Sequence, residues 1–424
     1  LALKYIGGYS EYKFKQRGDV DNTSRASYLD AATGVTVSTF AINETIENKR
    51  WQSHELQLIS TDEGDWDFIG GLYHYYEDVF QYFSNRYPNE PALLQPKYMI
   101  SPANPSITAA NPNAPPNPLY LSYYQDGQVK GSAYAVYAQT SYDITDAWRL
   151  TGGLRYSFDR KSGTERNRQV SFNPFLDRNP ALPGVQSIAV DNTADPFALD
   201  NPALTQNALR GAARPLGASW DGVTARLNLD WRPNDATLIY GNVNKGYKSG
   251  GFKTGQYDQL PYVGEESVIT YELGYKASIG ADLTLSAAAF HNDYEDLQLP
   301  ITITNANNVI QRVFVNAPSS FSRGFELETT WRPTRNLQLL GVYSYLDTEI
   351  EEGPLAQDVV RGGFRPTAGN DLVRSPNHKA TVNGIYTLPL FEGELSLIGT
   401  YSYTGKQYYE IFSLPFYKQD GFSR

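Results

Sequence analysis

Cysteine is absent from the 424 residues, methionine occurs once and histidine four times. The lack of thiols excludes disulfides and suits an oxidising, envelope-type compartment. His54, His74, His291 and His378 are scattered along the chain without an HExxH spacing, so no zinc site is expected. Long hydrophobic runs are missing too. No stretch approaches the roughly 18 consecutive apolar residues of a membrane-crossing helix, which excludes an α-helical membrane protein but not a β one, whose strands are only half apolar. Positive charge is in deficit: 36 Lys and Arg face 46 Asp and Glu, for a net charge of −10 and a pI near 5.0. That balance argues against nucleic-acid binding.

What the chain does have is alternation. In 223–231, Val223, Ala225, Leu227, Leu229 and Trp231 share one face, while Thr224, Arg226, Asn228 and Asp230 share the other. Leu150, Gly152, Leu154, Tyr156 and Phe158 oppose Thr151, Gly153, Arg155, Ser157 and Asp159, and Phe325, Leu327 and Trp331 oppose Glu326 and Glu328. Period two is the signature of a strand with unlike faces. Faces as charged as Glu326/Glu328 are costly in a dry core and comfortable beside water. Thirteen such runs are expected, the last over 394–412, and helix is nearly absent, 200–213 being the only modest candidate. The connections alternate as well. Tight turns fall at 61–65, 144–147, 232–236, 279–282, 332–336 and 390–393; long polar loops fall between them at 14–43, 85–119, 161–219 and 347–376. Short connections on one side and long ones on the other mark an up-and-down outer-membrane barrel.

Aromatic placement agrees. Tyrosine (32) exceeds phenylalanine (19), and Trp66, Trp148, Trp231 and Trp331 all lie near tight turns. Indoles favour the membrane–water boundary, so this row reads as a girdle at one end of the strands. Trp51 and Trp220 lie toward the long loops and are candidates for the opposite girdle. The expected fold class is therefore all-β: an antiparallel, up-and-down transmembrane β-barrel, here in part.

Chemical motifs are sparse. The glycine-rich run Gly246-Tyr247-Lys248-Ser249-Gly250-Gly251-Phe252 lacks phosphate-loop spacing and precedes no helix. Its glycines are expected to allow a bend, a bulge or the close approach of another backbone. No nucleophile elbow is present, Asp293, Glu295 and Asp296 lack a calcium-loop pattern, and no enzyme or cofactor is indicated. In the loops, Arg166, Arg168, Arg178, Arg210 and Arg214 accompany Tyr87 and Tyr98. Guanidinium groups suit anionic ligands and tyrosines stack on rings, so these seven are the candidate ligand contacts.

The segment 245–252, followed by Tyr271-Glu272-Leu273-Gly274-Tyr275-Lys276, Ser322-Arg323-Gly324-Phe325-Glu326-Leu327-Glu328 and Ser375-Pro376-Asn377-His378-Lys379, resembles the barrel of TonB-dependent outer-membrane receptors, siderophore-receptor branch. The opening Ile6-Gly7-Gly8-Tyr9-Ser10 is similar to an early strand of that barrel. The resemblance implies a 22-stranded barrel around an N-terminal plug, located in the outer membrane of a Gram-negative bacterium. It also implies energy from the TonB–ExbB–ExbD complex and uptake of a scarce bulky nutrient, classically a ferric siderophore. No TonB box or plug is recognised, so residues 1–424 are expected to be a barrel portion without the plug, the first strands and the last strands. The alternatives are a passive porin or channel and a secreted, soluble carbohydrate-active β-protein.

Overall fold

Strands far longer than a bilayer crossing dominate the computed structural model, which describes residues 1–19, 27–29, 36–38, 40–61, 64–98, 113–171, 188–191, 213–254, 262–304 and 310–424. The strands are β1 (Ala2–Asp19), β2 (Ile42–Ile59), β3 (Trp66–Arg86), β4 (Leu121–Thr145), β5 (Trp148–Ser171), β6 (Arg214–Asn234) and β7 (Thr237–Lys248). They continue as β8 (Glu266–Ile279), β9 (Leu283–Thr304), β10 (Ile310–Thr334), β11 (Leu337–Glu352), β12 (His378–Leu390), β13 (Gly393–Thr404) and β14 (Phe422–Ser423). Each pairs with the next in chain order, antiparallel throughout, so the sheet is an uninterrupted meander from β1 to β14. Among the described residues helix is confined to two short 3₁₀ turns, Pro91–Leu94 and Pro415–Tyr417; most of 200–213 lies outside them.

The register joins residues of like polarity across neighbouring strands. Trp66 pairs with Tyr142, and Trp148 pairs with Trp231, whose rings stack 5.4 Å apart at 9°. Leu154 pairs with both Ala138 and Ala225. These residues form one apolar face, open to the surroundings: Leu154 and Leu273 are each 63% exposed. A large apolar surface left open in this way is what a bilayer covers. The opposite face carries Glu55, Tyr137, Arg155, Glu272, Glu326 and Glu328; the last two line a hollow of about 230 Å³ with Tyr240 and Lys276. The four tryptophans of the tight-turn end, Trp66, Trp148, Trp231 and Trp331, all lie on the apolar face, as a girdle requires.

Four sequence expectations need correction. Trp51 and Trp220 do not form the opposite girdle: they sit on the polar face, with Lys49 Nζ 5.4 Å from the Trp51 ring centre and Lys161 Nζ 5.6 Å from that of Trp220. The row on the apolar face at that end is His54, His74, Tyr134 and Phe158, joined by direct pairing. The histidines are therefore not all isolated, since His54 and His74 stack in parallel with ring centres 6.2 Å apart. Stacked planes do not aim their nitrogens at one point, and His54 Nδ1 is instead 2.6 Å from the Tyr5 hydroxyl. The loop 161–219 is shorter than expected, because β5 runs on to Ser171 and β6 begins at Arg214. The run expected over 394–412 ends as a strand at Thr404, where Gly405 lies close against the His378 backbone.

Beyond the apolar band the long ends of β9, β10 and β11 meet the following loops around a small core. Ile350 and Ala356 are fully buried there beside Leu299, Ile301, Val313, Ala317, Ile411 and Phe412. Among the described residues the tight-turn side has no such core. Its connections are a few residues long, and the one at Gly280 uses φ +63, which a side chain would resist.

Candidate functional site

The long-loop ends of β3 to β6 hold most of the residues singled out as ligand contacts. They are brought together by ion pairing. Arg214 opens β6 directly opposite Glu165 on β5, and its Nε and Nη2 both donate to Glu165 Oε1, the Nε at 2.9 Å. The Glu165 side chain is wholly buried and that of Arg214 nearly so. Arg168 donates from Nε to the buried Asp191 at 3.0 Å, and its two terminal nitrogens reach the Pro116 and Pro115 carbonyl oxygens at 3.1 and 2.5 Å. The proline-rich stretch thus contributes bare carbonyl acceptors to a guanidinium that a partnerless burial would forbid. Arg166, on the face of β5 opposite to that of Glu165, pairs with Asp126 at 2.8 and 2.5 Å, half exposed.

Tyr87 follows the end of β3, packs on the cluster of Leu93, Val170 and Ala189, and donates its N–H to the Tyr120 carbonyl at 2.9 Å. Burial raises the pKa of its hydroxyl. Tyr98 lies in a two-residue strand paired parallel with Val190–Asp191; its side chain, like Arg178 and Arg210 entirely, lies outside the described residues. The structure therefore gathers Arg166, Arg168, Arg214 and Tyr87 around one set of loop bases and provides each of the three arginines with its own carboxylate.

Sequence reasoning gave less weight to Arg155, on the polar face of β5. Its guanidinium lies 5.1 Å from the Tyr73 ring centre and 5.8 Å from that of Tyr137, with Nε donating to Ser157 Oγ at 3.0 Å. No carboxylate among the described residues forms an ion pair with it. Tyr137 in turn donates to Glu55 Oε1 at 2.5 Å. A cation held between two phenol rings is well placed to meet a passing anion. The signal was present in the alternation, where Arg155 is the only charge between Thr151 and Ser157.

The glycine-rich run closes a second cluster beside this wall. At Gly250 an added Cβ would come within 2.2 Å of the Trp220 indole nitrogen and 2.4 Å of the Val263 carbonyl oxygen, so a backbone approaches another element there. Lys161 Nζ donates to the Gly250 carbonyl at 2.8 Å and to Ser249 Oγ at 3.2 Å. Gly246 faces Val268 in the same close manner, and the ring of Tyr247 fills the space that Gly222 leaves, its hydroxyl donating to Asp159 at 3.5 Å. Lys248 pairs with Glu266 at 3.3 Å. Gly251 and Phe252 form a short ribbon with Val263 and Tyr262, and the Phe252 ring packs against Trp220 and Tyr262. Every member of the motif has a structural contact of this kind.

Comparison with known proteins places this geometry. A model of the TonB dependent receptor-like β-barrel matches residues 2–424. The pesticin receptor of Yersinia pestis is 30% identical over 220 residues, 51% of this chain and 26% of that protein. The metal-pseudopaline receptor of Pseudomonas aeruginosa is 24% identical over 169 residues, 38% of this chain and 20% of that one. Among solved structures, the ferric yersiniabactin uptake receptor of Yersinia pestis superposes over 99% of this chain and 50% of its own, with a TM-score of 0.67 and 16% identity. The siderophore receptor PiuA of Acinetobacter baumannii superposes over 100% and 54%, with a TM-score of 0.64 and 16% identity. The chain thus spans about half the length of these solved receptors, and at such identities they establish the fold alone. The family is one of transport receptors and not of enzymes. With its apolar face turned to lipid and its polar face to the lumen, the chain belongs to the TonB-dependent receptors of the Gram-negative outer membrane, as β-barrel domain.

Proposed function

We propose that the protein takes up a scarce, bulky nutrient by active transport, a ferric siderophore first among candidates, with energy from the TonB–ExbB–ExbD complex. The observation that carries this reading is the 30% identity to the Yersinia pestis pesticin receptor over half of the chain. Solved relatives of like fold, named as receptors for ferric yersiniabactin and for a siderophore, support it. In this reading the energy-coupling plug belongs to a part of the protein other than 1–424. The loop residues Tyr87, Tyr98, Arg166, Arg168, Arg178, Arg210 and Arg214 meet the ligand at the mouth. Arg168 and Arg214, pinned by buried carboxylates, shape the mouth; Arg166, half exposed, is free to exchange Asp126 for an anionic ligand. Arg155, between its tyrosines, receives the anion further down the wall.

The test is uptake by a strain lacking the full-length gene, supplied in turn with a ferric siderophore, cobalamin and an oligosaccharide. Loss of iron uptake and of growth under iron limitation is expected, restored by the intact gene. Unchanged iron uptake with another nutrient affected removes the siderophore; unchanged uptake of all three removes the transport reading.

A further inference from the structure

Two guanidiniums stand side by side on the lumen wall with no carboxylate between them. Arg155 pairs with Thr224 and Arg226 pairs with Gly153, so the two arginines are diagonal neighbours on one face of β5 and β6. Their backbones are about 7–8 Å apart in such a register. Arg155 rests against the Tyr73 and Tyr137 rings. Among the described residues the exposed Arg226 side chain makes no hydrogen bond, ion pair or ring contact. Gly153 leaves the space beside both free of a side chain. Other arginines of the same face differ: Arg149 holds Asp67 and Asp143, and Arg214 holds Glu165.

A carboxylate does lie close by, and it is held away. Arg155 is near enough for its field to reach Glu55, yet no ion pair joins them. Glu55 Oε1 accepts instead from the Tyr137 hydroxyl at 2.5 Å and from Gln57 Nε2 at 3.1 Å. Gln57 also donates to the Tyr137 oxygen at 3.1 Å. The tyrosine can reach across because its ring lies flat over Gly71, where an added Cβ would come within 2.6 Å of it. Two neutral donors thus satisfy the carboxylate, and the guanidinium keeps its charge for another partner.

The pair lies well below the mouth. Arg155 is seven residues from Trp148 at the tight-turn end of β5, while Glu165, which holds Arg214, is seventeen. The ten residues between them span roughly 33 Å at about 3.3 Å each. A ligand leaving the mouth therefore meets these cations as a separate station. The chain carries a net charge of −10, so an anion is repelled by most of it. Two unneutralised guanidiniums set where such an ion can rest. Each can donate two parallel hydrogen bonds to one carboxylate, and their spacing suits a ligand with more than one.

We propose that Arg155 and Arg226 form a second binding station on the lumen wall for a ligand bearing several carboxylates, and that Tyr137 is the positioning residue that keeps it open by holding Glu55 away. The identity of the traveller rests on the transport reading; the anion site itself rests on the two arginines and on the hydrogen bonds of Glu55. The station favours a polyanionic cargo over a neutral one of the same size.

The test uses the full-length receptor in a neutral detergent, treated with phenylglyoxal and read by peptide mass spectrometry at each arginine. Arg155 and Arg226 are expected to react and Arg214 to resist. Citrate, the probe anion, should protect both, and glycerol neither. Tyr137→Phe keeps the ring but releases Glu55, so the citrate concentration that protects Arg155 should rise about tenfold, the worth of one charge-assisted contact. Tyr137→Phe with Glu55→Gln should restore the parent value, which a mere packing role for Tyr137 would not do. Should Tyr137→Phe fail to give a heat-stable folded band, Arg226→Gln should weaken protection of Arg155 by a similar factor. Arginines that do not react in the parent are already held, by carboxylates from elsewhere in the full-length protein, and overturn the station. Reaction without protection by citrate overturns it as well, and an unchanged Tyr137→Phe overturns the positioning role. Protection that holds in a receptor shown to take up nothing would sink the transport reading and leave the anion site standing.

Discussion

The membrane band and the extracellular half of these strands are built from one sheet, yet different forces hold them. In the band, side chains such as Leu154 and Leu273 face lipid, and cohesion rests on the backbone ladder with alternation to keep register. In the extracellular half, Glu165, Asp191 and Asp358 are buried and satisfied by arginines, and Ile350 and Ala356 are shut inside a small dry core. The band is insensitive to which apolar residue it carries, and the outer half is specified by partners. A receptor gains from this division: a uniform wall serves any lumen, while a mouth needs fixed shape.

The sharpest break of the comparison is Arg214→Met. It leaves Glu165 buried without its guanidinium, a change that costs about 3–5 kcal/mol when one partner of a buried pair is removed. Thermal unfolding should shift accordingly, while Arg214→Met with Glu165→Leu should recover most of the loss, since an apolar pair has no charge to strand. A single variant as stable as the parent would mean that the loop bases are not held by this pair.

Next in size is a matched pair of truncations. Ile350→Ala opens a cavity in the outer core and should cost about 2–5 kcal/mol. The same loss of carbons at Leu154→Ala should be nearly silent, because lipid refills the space where a rigid core does not. Chemical denaturation in the same detergent compares them. Equal costs would show that the band, too, packs against protein.

Much of the band was legible in the sequence because period two acts without partners. Val223 to Trp231 alternates whether or not its neighbours are known, and the tight turns and their tryptophans follow from local chemistry. The mouth was legible only as composition. Arg166, Arg168 and Arg214 stood out as cations, but Asp126, Asp191 and Glu165 lie 40, 23 and 49 residues from them in sequence. Pairing at such distances is a matter of topology that periodicity does not carry. Trp51 and Trp220 were misassigned for a related reason: nearness to a loop gives height along a strand, whereas the face depends on the parity of the register. The continuation of β5 past Lys161 was missed because Glu165 and Asn167, polar yet buried, break the apolar alternation that marks a strand.

A smaller effect concerns acid. Burial by itself would raise the Asp358 carboxyl, but the Tyr417 hydroxyl at 2.5 Å, the Arg361 N–H and the Arg365 guanidinium together bring it below the ordinary 3.8. Its bonds therefore stabilise the outer loops at every pH above that ordinary value and are lost as pH falls through the lower folded-state one. Pepsin cleavage within 353–376 should begin only below about pH 3.8. Tyr417→Phe removes one of the groups that hold the carboxyl down, so its onset should move to higher pH. Cleavage independent of pH in both proteins would sever the link between Asp358 and loop order.

The smallest expected effect separates burial from charge as the source of the mouth's rigidity. Arg166 and Asp126 are joined by two hydrogen bonds, as Arg214 and Glu165 are, but the arginine is half exposed. Water and salt screen such a pair, and its loss is worth about 0–1 kcal/mol. Arg166→Gln should therefore leave thermal unfolding almost unmoved where Arg214→Met does not, although the two arginines lie on adjacent strands and both hold carboxylates. A large loss at Arg166 would place the mouth's order in the number of its ion pairs. A negligible one places it in the few that are sealed from solvent, and leaves the exposed guanidinium available for an anion arriving from outside.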